Sequence, residues 1–157
     1  LHRFELLGDP PRLRAILELL QRSSRRVPLL FVDHPVTVAA VQAAGVDHIF
    51  DDRFRRIPRQ RYFEFIALLK RSEFIVTDSG GSQEECAYLG KPCLVHRATT
   101  ERQEGLGSTV VLSHLDLQVV EEFLEAPERH AVSHAPVESH PSEVVVAWLE
   151  EAGYLLD

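Results

Sequence analysis

A chain of 157 residues, 45% of them hydrophobic, has the material for one domain with a substantial core. Its formal net charge of −7 argues against nonspecific nucleic-acid binding, which needs a basic face to displace counterions. No apolar run is long enough to span a membrane and no signal peptide is visible. Cys86 and Cys93 lack Cys-x-x-Cys spacing and sit in apolar company, so they read as reduced core thiols of a cytoplasmic protein. The chain contains no methionine and begins at Leu1, as expected of a piece of something longer.

The elements follow in order. Residues 1–7 read as a fragmentary beginning, with His2-Arg3-Phe4-Glu5 polar at alternate positions like the tail of a strand. Asp9-Pro10-Pro11 opens a helix in which Leu13, Ile16, Leu17 and Leu20 recur at helical spacing. Residues 27–32 read as a buried strand ending at Asp33-His34-Pro35. A helix with Val38 and Val41 inward follows, ending at Gly45, and residues 47–50 are a weak strand candidate. Arg53, Arg55, Arg56, Arg59 and Arg61 read as a solvated loop, with room for one arginine near an anionic ligand. The helix over residues 61–71 then carries Tyr62, Phe65, Ile66 and Leu69 on one face.

The informative stretch runs from Phe74 to Gly90. Residues 74–76 form a short apolar strand, Thr77 and Asp78 end it, and Ser79-Gly80-Gly81 leads into a helix starting near Ser82 and capped by Gly90. Strand, glycine turn and helix in succession aim free N–H groups and a positive dipole end at one spot, which suits a phosphate. A tight turn that binds nothing is the plain alternative. Glu84 and Glu85 oppose an anion, so a carboxylate here suits neutral hydroxyls such as those of a ribose.

Beyond Gly90, residues 92–95 and 109–112 read as strands, residues 116–124 and 142–151 as helices. The last helix is expected to bury Val144, Val145, Trp148 and Leu149. Strands alternating with helices across long connections predict an α/β fold: a single Rossmann-like, doubly wound parallel sheet with helices on both faces. Asp33-His34, Asp78 to Gly81 and His96-Arg97 each follow a strand, so three loops should line one crevice at the strands' carboxyl ends. In the polar loop from Ala98 to Gly105, Arg102 can place a bidentate guanidinium on a diphosphate. Its plainer alternative is an ion pair with Glu101 or Glu104.

Three segments together carry a resemblance: Thr77-Asp78-Ser79-Gly80-Gly81-Ser82-Gln83-Glu84-Glu85, Leu89-Gly90-Lys91-Pro92, and Arg97-Ala98-Thr99-Thr100-Glu101-Arg102-Gln103-Glu104. With Tyr62-Phe63-Glu64-Phe65, His34-Pro35 and His2-Arg3-Phe4-Glu5 upstream, they resemble UDP-N-acetylglucosamine 2-epimerase over roughly the first three quarters of the chain. The resemblance implies one half of a two-domain, glycosyltransferase-B-like enzyme. Residues 1–157 would be its UDP-sugar-binding domain, and the N-terminal domain with most catalytic carboxylates would be missing. It implies that Ser79, Gly80 and Gly81 hold the diphosphate, Glu85 the ribose hydroxyls and Arg102 the phosphate side. Phe65 would lie along the uracil, and His2 would stand near the pyrophosphate and sugar as the one catalytic candidate. In the family the reaction moves a proton at C2 and passes through elimination and re-addition of UDP; no cofactor and no metal are expected for this chain. UDP or a UDP-N-acetylhexosamine and the missing domain are the implied partners, a homodimer of the parent is open, and the isolated chain is expected to be inactive.

Other classes fit less well. His130, His134 and His140 have no accompanying Cys or carboxylate ligand pattern, so no metal is expected there. Ser79 as a hydrolase nucleophile would need a small residue where Thr77 stands, and Gly-x-Gly-x-x-Gly for a dinucleotide is absent. The donor-binding half of a UDP-sugar glycosyltransferase is one alternative; paired glutamates eight residues apart are expected there, and Val76 and Thr77 occupy the earlier positions. A stand-alone UDP-sugar-binding or sensing module without catalysis is another.

Overall fold

In a computed structural model of the chain, residues 1–133 and 141–154 are described. Helix α1 (Phe4–Leu7) is followed by α2 (Pro10–Ser23), β1 (Leu29–Val32), α3 (Pro35–Ala43), β2 (Phe54–Ile57), α4 (Tyr62–Arg71) and β3 (Ile75–Thr77). Then come α5 (Gly80–Tyr88), β4 (Cys93–Val95), β5 (Val110–Leu112), α6 (Leu117–Glu125) and α7 (Pro141–Glu151). Short 3-10 turns lie at Asp47–Ile49 and Pro127–His130.

The strands are all parallel, as expected, but fall into two ladders among the described residues: β1 beside β2, and β3-β4-β5. Alternation along β4 shows how the larger ladder is covered. Leu94 packs into a core with Leu13, Ile16 and Leu17 of α2 and Val120 and Phe123 of α6. Its neighbours Cys93 and Val95 pack with Leu69 of α4 and Cys86 of α5. Successive residues of a strand face opposite sides, so helices cover both faces, and the doubly wound arrangement follows. Helix α2 supplies the larger core because its apolar residues repeat at 3.6-residue spacing behind a capped start, with Asp9 accepting the Arg12 N–H at 3.0 Å. Cutting Ile16 or Leu17, both without exposed surface, to alanine would cost about 2–5 kcal/mol.

The structure departs from the sequence-based expectation at five places. Residues 4–7 are helical, not the tail of a strand: the N–H groups of His2 and Arg3 are taken by Asp78, and the chain coils at once to bury Leu6. Residues 47–49 make a 3-10 turn, and the strand lies later, inside the arginine-rich segment expected to be a loop. That strand is tolerated because Arg56 is neutralised by Asp33 at 3.1 Å and Asp47 at 2.7 Å and covers the Phe50 ring, while Phe54 enters the core. On α3 Thr37 and Val41 are buried while Val38 is only half-buried. On α4 Tyr62 is exposed, whereas Leu69 is buried. Helix α7 forms where expected, but Val144, Val145 and Trp148 are 57%, 56% and 60% exposed, and Leu149 is half-buried.

Among the described residues no helix is long and apolar enough to cross a membrane.

Candidate functional site

The glycine turn sits where β3 ends. Ser79 caps α5, accepting the Ser82 N–H at 3.5 Å, so the helix begins at Gly80, earlier than the expected start near Ser82. Two glycines at a helix start cost little once the serine satisfies an end N–H, and both have ordinary, negative φ. At Gly80 the need is for space. A Cβ on Gly80 would stand 3.2 Å from Arg102 Cγ and 3.3 Å from Glu101 Oε1, whereas one on Gly81 would meet only Ser79 Oγ at 3.9 Å. The helix end beside Gly81 is therefore open, with N–H groups and the positive dipole end presented to an incoming anion.

Asp78 ties this turn to the start of the chain. Its fully buried carboxylate accepts the N–H of His2 at 2.5 Å and of Arg3 at 2.7 Å, and His2 Nδ1 stands 3.1 Å from the same group. Burial alone would raise its pKa, but the N–H donors of Arg3 and His2 and the His2 ring pull it down, and it lies below the ordinary carboxylate value. The His2 ring stacks on His34 at 5.1 Å, and the Leu1 carbonyl accepts from Thr37 of α3. Residues 1–3 thus link the carboxyl ends of β1 and β3. Burial lowers the His2 pKa against the pull of Asp78, and His34 and Arg3 lower it further.

The third loop arrives from β4. His96 donates its N–H to the Thr77 carbonyl at 2.7 Å, and the chain then crosses α5 so that Arg102 lies along Gly80. Arg102 pairs with Glu84 at 3.0 Å; the partners weighed from sequence, Glu101 and Glu104, are not used, Glu101 being taken by Arg97 at 2.9 Å. Glu85 lies one turn into α5, hydrogen-bonded to the Tyr62 hydroxyl. Its pKa is raised by burial and by Glu84, against that hydrogen bond. Phe65, half-buried on α4, packs on the cluster that contains Cys86.

Ser79, Gly80, Gly81, Glu85, Arg102, Phe65 and His2 are therefore gathered around the start of α5 and its neighbours α4 and residues 1–3. His34 and Asp78 were legible as parts of strand-end loops, whereas the buried Gln83 and the Tyr62 hydroxyl bonded to Glu85 were not anticipated; neither carries a pattern of its own. His130 stacks on Phe123 at 5.5 Å, and His134 and His140 lie outside the described residues. Among the described residues no cluster of His, Cys, Asp and Glu could hold a metal ion. A cleft of about 450 Å³ lies elsewhere, between α2 and α6, and its carboxylates Glu121, Glu122 and Glu125 make it a poor seat for an anion.

A parallel α/β layer with a glycine turn at a strand's carboxyl end defines a Rossmann-like fold, and the solved structures it superposes on make it one half of a glycosyltransferase-B-like fold. Residues 1–140 match the family described as UDP-N-acetylglucosamine 2-epimerase, and the chain belongs to that family. It is 36% identical over 140 residues to the UDP-N-acetylglucosamine 2-epimerase of Bacillus subtilis, covering 82% of this chain and 35% of that protein. It is 38% identical over 102 residues to the UDP-2,3-diacetamido-2,3-dideoxy-D-glucuronate 2-epimerase of Pseudomonas aeruginosa, covering 64% and 28%. Among solved structures, the Methanocaldococcus jannaschii UDP-GlcNAc 2-epimerase in complex with UDP-GlcNAc and UDP superposes with a TM-score of 0.80 at 26% identity. That match covers 96% of this chain and 43% of the other. The chain thus spans about a third of the length of these curated relatives.

Proposed function

We propose that this chain is the nucleotide-binding domain of a UDP-N-acetylglucosamine 2-epimerase, or of its hydrolysing variant, and holds UDP at the glycine turn. The observation that carries the proposal is the pairing of an open, capped helix start at Ser79-Gly80-Gly81 with the Arg102 guanidinium lying over it. The β-phosphate meets the N–H groups of α5 and Arg102, which exchanges its Glu84 partner for a doubly charged one. Glu85 accepts from the ribose hydroxyls in place of the Tyr62 hydroxyl, and Phe65 lies along the uracil. His2, held beside the turn by Asp78, faces the departing diphosphate and sugar. The buried thiols Cys86 and Cys93 suit a reducing, cytoplasmic setting. The acid and base that move the C2 proton belong to a domain outside these residues, so the chain by itself binds and does not turn over.

Calorimetry with UDP, UMP and ADP tests this. UDP should bind weakly but best: UMP lacks the second phosphate, and a purine overfills the slot at Phe65. Glu85→Gln should cost about 1–3 kcal/mol of UDP binding, because a charged acceptor becomes a neutral amide. Arg102→Ala should weaken UDP far more than uridine. Equal loss of both ligands on changing Arg102, or no effect of Glu85→Gln, would reverse the assigned roles.

A further inference from the structure

The loop that carries Arg102 is largely exposed from Glu101 to Glu104, yet it delivers one guanidinium to one glycine. Beside the Arg102–Glu84 and Arg97–Glu101 ion pairs, the hold on its backbone is concentrated in a single side chain. Gln83, on the second turn of α5 and without exposed surface, donates from Nε2 to the carbonyls of Arg102 and Glu104, both at 3.2 Å. Its Oε1 accepts the Thr100 hydroxyl at 2.8 Å, and the Thr100 oxygen in turn accepts the Arg102 N–H at 3.2 Å. The orientation of the amide is settled by chemistry, since the reverse would set its oxygen against two carbonyl oxygens. Both donors and the acceptor thus go to alternate residues of one loop, bracketing the arginine on either side.

We propose that Gln83 is the positioning residue for Arg102, its buried amide fixing the loop so that the guanidinium lies over the glycine turn. It touches no ligand. Its contribution is to remove the freedom of an exposed loop before the phosphate arrives, because bidentate contact tolerates only small misplacement. The loop's far end is fixed separately. Gly105 has a φ of +73°, and a Cβ there would stand 2.7 Å from Val110 Cγ2 and 2.9 Å from Ala87 Cβ. Gly105 anchors the exit, but only Gln83 reaches the backbone of Arg102 itself from α5.

The role toward phosphate rests on the UDP assignment above, and the test separates the two. Gln83→Glu keeps the shape and the Thr100 contact but sets a carboxylate against two carbonyls; Gln83→Leu removes all three bonds. Each should weaken UDP about tenfold, measured by calorimetry, and leave uridine within twofold, measured by ligand-observed NMR. In an Arg102→Ala background, Gln83→Leu should cost UDP less than a further twofold, since the group it places is gone. Equal loss of UDP and uridine, or full additivity with Arg102→Ala, overturns the proposal. Hydrogen exchange without ligand gives an independent reading: residues 99–105 should exchange faster in Gln83→Leu while β4 and the helical core stay protected. Unchanged loop exchange also overturns it. If the wild type binds no UDP, the ligand assignment falls, and the exchange result decides the anchoring on its own.

Discussion

His96 is enclosed where β4 meets the site, 1% exposed, with Nδ1 2.8 Å from Ser113 Oγ and no hydrogen-bond partner at Nε2. Burial pushes its pKa from 6.5 down to about 4, against the nearby Asp78 carboxylate and with a smaller push from Arg12. Between those two values the unfolded chain binds the proton and the folded one does not, so acid favours unfolding. The stabilisation is complete above about pH 6.5, falls as the pH drops and is gone by about pH 4, a change of roughly 2–4 kcal/mol. Asp78 and Asp51 have lowered pKa values and lose their contribution only at still lower pH. The lowered pKa of His2 acts in the same direction as His96. Urea unfolding at pH 7 and pH 5 should therefore show a marked loss of stability in the wild type. His96→Asn reaches Ser113 but takes no proton, and it should remove most of that difference. An undiminished difference would place the acid sensitivity elsewhere.

At the scale of elements, the helix most at odds with its expected burial is α7. Four of its apolar residues, Val144, Val145, Val146 and Trp148, lie open to solvent, and Trp148 stacks on the equally exposed Tyr154. Trp148 is the one tryptophan of the chain, so fluorescence reports on this helix alone. In the isolated chain its emission should be that of a water-exposed indole and be readily quenched by acrylamide. A blue-shifted, protected emission would mean that α7 finds cover in solution. The other element hidden from sequence inspection was β2, because arginines at Arg55 and Arg56 masked it. Its pairing depends on Asp33 and Asp47, which lie at the end of β1 and beyond α3.

For the whole molecule, the expected outcome is binding without turnover. The residues proposed for UDP lie on α4, α5, the loops after β3 and β4 and, for His2, at the start of the chain, and the proposed proton transfer at C2 is assigned to carboxylates outside them. Purified chain incubated with UDP-N-acetylglucosamine should yield neither the epimer nor free UDP, by NMR or coupled assay. Turnover abolished by a substitution within these residues would overturn the two-domain assignment.

Whereas the family resemblance named Phe65 and His2 as site candidates, the sequence by itself determined the alternation of strands and helices, the glycine turn after β3, and the caps at Asp9 and Gly90. These are local: spacing, caps and turn residues act over a few positions and are printed in the chain. Tertiary structure alone decided that the strands divide into two ladders, that Arg55 and Arg56 belong to a strand, and that α7 is uncovered. It also decided that Asp78 binds the amides of His2 and Arg3, 76 and 75 residues away, and that Gln83 holds the loop of Arg102. Such contacts join groups distant in sequence, and neither partner shows a periodicity that reveals the other. A buried polar side chain takes its meaning from what it bonds, and that partner exists only once the chain has folded.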